Sequence, residues 1–279
     1  VKPFSKEHIT LLKDRFNALA GRYLSDDIIC NDHIELKREH TLKVCEEIKS
    51  LAEAIGFSQE KTMLAYIIAL FHDIGRFEQF YRFGTFDDSC SLNHAALSVD
   101  IVKSDGFIED IPEAYHDLIF RTIINHNIPF FQVRENDDVA MFTKLLRDAD
   151  KLDIWRVVTQ DELRQILEWK DQTDKYDVPD AIFQRFLDHQ IITLDLVRSV
   201  NDMRLLRIGW IFDINLSATF ERIIERKLLE KIFVLIPRSE QLDQIKTIVG
   251  NYLSEKMTSQ PIQNTLSFKQ KHKDNIINQ

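Results

Sequence analysis

"MLAYIIALFHDIGRF", residues 63–77, is the stretch on which the reading of this chain turns. It opens as an apolar helix bound for a hydrophobic core, with Leu64 and Ile68 four residues apart on one stripe. The next step of four lands on His72. Asp73 follows, then a glycine and an arginine two residues on. Burying an uncompensated carboxylate beside an imidazole is costly. A chain that does so at the inner end of a helix implies a partner for both groups.

The same pattern recurs along the chain. Val44, Ile48, Leu51 and Ile55 make an apolar stripe, and His40 stands four residues ahead of it. Leu97 and Ile101 define the stripe of His94, Ile119 and Ile123 that of His126, and Phe142 and Leu146 that of Asp150. Six polar residues on five helical segments are therefore expected to face inward. A single core histidine is ordinarily satisfied by a backbone carbonyl, but six inward imidazoles and carboxylates call for a shared cation, which stabilises both kinds of lone pair. Two near misses are set aside. His33 faces nearly the direction of His40 but lies seven residues earlier, about 10 Å along the helix axis. His116 competes with His126, but ten residues turn it to a different face. His8, His189 and His272 are read as surface or core residues.

Around these segments the periodicity is helical almost throughout. Residues 5–24 read as a first helix capped by Ser5, and about 31–55 as a second that stops at Gly56. Ser58 starts the third. Residues 76–90, "RFEQFYRFGTFDDSC", read as an aromatic-rich loop. Ser91 is taken to cap a helix to about Ser104, and Pro112 to open one to about His126. Residues 137–158 form the next. The run "IFVLI", 232–236, suits a strand or a buried helix, and 260–279 reads as a polar tail, frayed or disordered. The fold class expected is all-α. Residues 1–158 carry the inward histidines, and 159–259 form a C-terminal helical extension packed on the same fold.

Composition sets outer limits. Seven glycines among 279 residues are few for the many tight turns of a doubly wound α/β fold or a TIM barrel. No G-x-G-x-x-G, P-loop or G-x-S-x-G is present. Apolar residues make up 44% and charged residues 29%, which suits a globular chain. No run approaches the roughly 20 apolar residues of a membrane span, and the start, "VKPFSKEHIT", lacks an apolar signal region. Cys30, Cys45 and Cys90 are scattered, so a cytoplasmic setting is expected. A net charge of −9 argues against broad nucleic-acid binding.

Three motifs in order, "HTLKV" at 40–44, "HDIG" at 72–75 and "LRDADKLD" at 146–153, resemble the HD superfamily of metal-dependent phosphohydrolases. The ordered set H…HD…H…H…D is more specific than "HDIG" alone, and the resemblance covers roughly residues 30–158. It implies that His40, His72, Asp73 and Asp150 hold a first divalent ion, and that His94 and His126 hold a second, with Asp73 bridging. It implies iron or manganese, with magnesium, nickel, cobalt or zinc as other candidates, in one or two sites per chain. In such sites a bridging water is acidified to hydroxide and the phosphoryl oxygens are clamped.

The implied activity is hydrolysis of a small phosphomonoester or phosphodiester, a nucleotide among the candidates. Arg76 and Lys151, each following a motif, are the expected phosphate cations beside the catalytic Asp73. Asp148 and Asp153 are expected to brace the helix or to orient histidine ligands. Tyr81, Phe83, Phe86 and Asp87 are candidates for the substrate wall, Tyr81 foremost. The Gly-Tyr-Pro signature of the cyclic-dinucleotide branch is replaced by "NHNIPFFQVREN", 125–136. HD-type di-iron oxygenases, similar to inositol and aminophosphonate oxygenases, share the ligand order and stand as the alternative. A degenerate, non-catalytic sensor domain is disfavoured because all six ligands are present. A homo-oligomer is compatible with the sequence, and residues 160–279 show no specificity motif.

Overall fold

The computed structural model describes residues 4–129, 137–168 and 176–258. Among them are twelve α-helices and no strand. In order these are α1 (Lys6–Gly21), α2 (Ile28–Ala54), α3 (Gln59–His72), α4 (Gly75–Phe83), α5 (His94–Ser104), α6 (His116–Asn125), α7 (Asp138–Glu168), α8 (Asp180–Leu187), α9 (Val200–Gly209), α10 (Ser217–Glu225), α11 (Leu228–Phe233) and α12 (Glu240–Thr258). No described helix is long and apolar enough to cross a membrane.

The helix starts follow capping chemistry. Ser5 accepts a hydrogen bond from the His8 amide and Ser58 one from the Lys61 amide, each satisfying an amide that the helix leaves without a partner. At the other end of α2, Gly56 takes the left-handed conformation (φ 79°) that closes the helix. The centre of the molecule is α3, buried from Leu64 through His72 except at Tyr66. It packs against α1, α2, α5, α6 and α7. The long helices α2 and α7 lie against each other and both flank α3, while α10 and α11 pack on α7 from the C-terminal side. Phe71, Phe77, Phe107, Phe142 and Trp155 are the bulky residues of a continuous core.

Several expected boundaries shift. The aromatic segment 76–90 is not a loop throughout, because its first part is α4. Phe77 and Phe80 fall three residues apart on the face that packs inward, and Gly84 ends the helix with φ 65°. The cap of α5 is Asn93 rather than Ser91: its side chain accepts from the Ala96 amide, whereas the Ser91 hydroxyl is bonded to the Asp87 carbonyl and to Gln79. Pro112 opens only a 3-10 turn, Glu113–Tyr115, ahead of α6. The second helix begins earlier than expected because Asp27 caps the amides of Ile29 and Cys30. The ambiguous run at 232–236 continues from α11, so it is helix and turn rather than strand. Helix α7 continues past residue 158 to Glu168. The polar tail lies outside the described residues, as does most of the segment compared with the Gly-Tyr-Pro signature.

Candidate metal centre

His72 is the last residue of α3, and Asp73 caps its C-terminal end. The turn that follows is tied down by Gly75, whose amide donates to Ser98 Oγ at 2.9 Å. The glycine is needed for close approach: a Cβ there would stand 2.6 Å from the His94 carbonyl oxygen and 2.7 Å from the Ser98 amide. Its backbone φ is not positive, so what the position requires of glycine is the missing side chain rather than conformational freedom. By seating α4 on the first turn of α5, it brings His94 up to Asp73.

Around Asp73 the six inward residues converge. One carboxylate oxygen, Oδ2, faces His40 Nε2 and His72 Nε2, each at 3.8 Å. The other, Oδ1, faces His94 Nε2 at 3.4 Å and His126 Nε2 at 3.9 Å. Asp150 Oδ1 joins the first pair, 3.0 Å from His40 Nε2 and 3.7 Å from His72 Nε2. His94 Nε2 and His126 Nε2 stand 3.2 Å apart. Metal–ligand bonds of about 2.1 Å place neighbouring ligands about 3 Å apart, the scale of these separations. Two His/Asp clusters can therefore hold an ion: His40, His72 and Asp150 form one, and His72, Asp73 and His126 form another, with His94 at the edge of the latter.

The outward ring nitrogens give the clearest evidence of fit. All four imidazoles donate from Nδ1: His40 to Asp153 Oδ2 at 2.7 Å, His72 to the Ala69 carbonyl at 2.6 Å, His94 to Asp88 Oδ2 at 2.7 Å and His126 to the Ile123 carbonyl at 2.6 Å. A proton on Nδ1 leaves the Nε2 lone pair pointing inward, the arrangement of metal-binding histidines. His40 Nε2 and His72 Nε2 are buried with no hydrogen-bond partner. Leaving polar nitrogens buried and unmatched is unfavourable, and a divalent ion would satisfy them.

Charge follows the same design. Burial alone would raise the Asp73 carboxyl, but Lys37, and after it His72, Arg76 and His94, hold it well below the usual carboxylate range. Lys37 reaches in from α2 with its ammonium 3.0 Å from Asp73 Oδ2. Burial, reinforced by His94 and His72, pushes His126 down to about 3. Such a histidine stays neutral at physiological pH and available as a ligand.

The remaining expected residues fall in different places. Arg76 lies at the site, with Nε 3.5 Å from Asp73 Oδ1 and Nη2 3.3 Å from His94 Nε2. Its Nη1 is bound to Gln79, Asp88 and the Phe86 carbonyl. Lys151 is buried and points to Asp213, Nζ to Oδ2 at 2.7 Å, so it is not the free cation its position after Asp150 suggested. Asp153 orients His40. Asp148 touches no histidine; it accepts from the Asn215 and Leu216 amides and from Thr219 Oγ1, fastening the C-terminal helices to α7.

Tyr81 is exposed, and its ring meets Tyr23 rather than any of the six. Phe83 is exposed beside Arg82, and Asp87 caps the 3-10 turn at Asp88–Cys90. Phe86 does approach the site, packed among Phe80, His33 and Lys37. His33 stacks on Phe80 and His116 bonds the Ile111 carbonyl, both outside the clusters. His8 is buried and accepts from the Phe4 amide, His189 stacks on Phe212, and His272 lies outside the described residues. Three residues were missed from sequence. Lys37 is three positions before His40 on the same face of α2, a signal that was available. Asp88 and Asp213 sit in short 3-10 segments with no periodicity to announce them.

The donor set and its charge are consistent with a metal-dependent hydrolase, and they support an enzymatic function. Comparison with curated proteins and with solved structures finds no match. Comparison with family models matches residues 38–155 to the HD domain, a span that takes in all six inward residues. On that match and on the clusters around Asp73, residues 38–155 form an HD domain.

Proposed function

We propose that the protein is a phosphohydrolase that binds two divalent ions, iron or manganese, and cleaves a small phosphomonoester or phosphodiester, with nucleotides among the candidate substrates. The observation that carries this reading is the Asp73 carboxylate, which offers one oxygen to the His40–His72 side and the other to the His94–His126 side. His40, His72, Asp73 and Asp150 are the ligands proposed for one ion. His94, His126 and Asp73 are proposed for the other, with His72 close enough to share. Bound ions of this kind supply an acidified water and neutralise phosphoryl charge.

The protein's own groups do the rest. Asp153 and Asp88 hold His40 and His94 in the tautomer that keeps Nε2 basic. Arg76, braced by Gln79 and Asp88, keeps a guanidinium beside the Asp73 oxygen on the second side, where a phosphate oxygen would meet it. Lys151 stands next to Asp150 but is committed to Asp213, and it serves phosphate only where the substrate draws it from that partner.

The test is an element-resolved metal analysis of the purified protein together with a screen of phosphorylated metabolites, run with and without oxygen. Two equivalents of metal and oxygen-independent release of phosphate or of a nucleotide product are expected. Turnover that requires oxygen would replace the hydrolase with the di-iron oxygenase reading, which shares the donor set. Asp73→Ala should lose both ions and all turnover, and a variant that still turned over would remove Asp73 from the reaction.

A further inference from the structure

Lys37 is the one lysine in contact with the Asp73 carboxylate among the described residues, and its position is unusual for a group beside a divalent-ion site. Its ammonium stands 3.0 Å from Asp73 Oδ2, the oxygen that His40 and His72 also face. The pair is largely buried, with the Lys37 side chain 17% and the Asp73 side chain 4% exposed. The ammonium also lies over the face of Phe86, 5.2 Å from the ring centroid. Arg76 covers the opposite oxygen, Oδ1. Each Asp73 oxygen is thus matched by one cationic side chain on the side where an ion is proposed.

We infer that Lys37 is a built-in competitor for the divalent ion at Asp73: its ammonium neutralises the buried carboxylate before an ion binds, and it must yield Oδ2 when one does. This rests on the metal-dependent reading above and adds to it a residue that sets the affinity of the site. A buried carboxylate without a counter-charge is strongly unfavourable, and an ammonium in contact relieves that. A dication shared by His40, His72 and Asp150 would stand close to the same oxygen. The Coulomb repulsion between it and a contacting ammonium in a poorly screened site is large.

The two cations therefore exclude each other at Oδ2. Lysine suits such an exchange better than arginine, because its charge rides on a flexible four-carbon stem rather than a fixed fork. The Phe86 ring, already within reach of the ammonium, offers it an aromatic face once Oδ2 is taken. The device keeps the bundle folded before an ion arrives, at the cost of weaker metal binding.

The experiment is a Mn²⁺ titration by isothermal calorimetry of chelator-stripped full-length protein, comparing wild type with Lys37→Met, Lys37→Gln and Lys37→Arg. Methionine keeps the stem without the charge, and glutamine also keeps a donor for Asp73, guarding against a variant that fails to fold. Loss of the charge should tighten Mn²⁺ binding by about tenfold or more, while arginine, which keeps the charge and yields less readily, should bind no more tightly than wild type. The ion-free Met variant should also melt below ion-free wild type, with the gap closing at saturating Mn²⁺. Unchanged or weaker Mn²⁺ binding in both neutral variants would overturn the inference while leaving the metal centre standing. Absence of Mn²⁺ binding by wild type itself would overturn the inference and the metal-dependent reading together.

Discussion

Asp88 shows how much of this site depends on single partners beyond the ligands themselves. Its carboxyl is held down to about 2: burial would raise it, but His94 and then Gln79 and Arg76 more than offset that. It accepts the His94 Nδ1 proton and also bonds Asn127. Asp153 does the same for His40. Removing such an orienting carboxylate typically weakens metal binding by about 10–100-fold. Asp88→Ala should therefore weaken the ion on the His94 side, and Asp153→Ala the one on the His40 side, as separate steps in a calorimetric titration. His126 makes an independent statement about acid. The unfolded chain takes up this proton near pH 6.5, whereas the folded protein resists until about 3 because of burial, His94 and His72. Between those values the unfolded state binds more protons, so stability should fall as pH drops from 6.5 toward 3. Melting temperature measured against pH should show the decline, and His126→Asn should flatten part of it. At this scale the six converging side chains were legible from spacing, since five lie in register with an apolar stripe of their own segment and Asp73 directly follows His72. Lys37 was legible by the same rule and was passed over, while Asp88 had no periodic neighbour to mark it.

The contact between α4 and α5 is where one residue governs the placement of an element. Gly75 has no room for a methyl group because the His94 carbonyl and the Ser98 amide are backbone atoms that cannot swing away. Overpacking of this kind typically costs about 1–3 kcal/mol. Gly75→Ala should lower the urea midpoint accordingly and displace His94, so that metal stoichiometry falls toward one while the His40 side still binds. Reading 76–90 as a loop missed α4. Phe77, Phe80 and Tyr81 have a helical spacing, but the helix they define is only nine residues long before Gly84 ends it, so the pattern spans little more than two turns. Pro112 and Ser91 were plausible helix starts by local rules. Competing contacts decided otherwise: Ser91 is used by the 3-10 turn that carries Asp88, and the turn after Pro112 is too tight for an α-helix.

Across the whole molecule, the C-terminal helices are bound to the histidine-bearing bundle by polar ties as well as by core packing. Asp148, buried in α7, accepts from the Asn215 and Leu216 amides and the Thr219 hydroxyl. Asp213 gathers both Arg147 and Lys151, and Arg147 in turn donates to the His126 and Ile128 carbonyls. Asp148→Ala would strand several buried donors, each worth about 1–3 kcal/mol. A loss of about 3 kcal/mol in chemical denaturation is expected, with proteolysis entering first between α9 and α10. The all-α class and the inward direction of the six residues were determined by the sequence alone, because helical periodicity is local and fixes which face each side chain shares with its apolar neighbours. Which residues meet across the chain was decided only by tertiary structure: Lys37 with Asp73, Asp88 with His94, and Lys151 with Asp213 rather than with an open site. Those pairings depend on how separate helices and short turns pack against one another, and no spacing within a single segment carries that information.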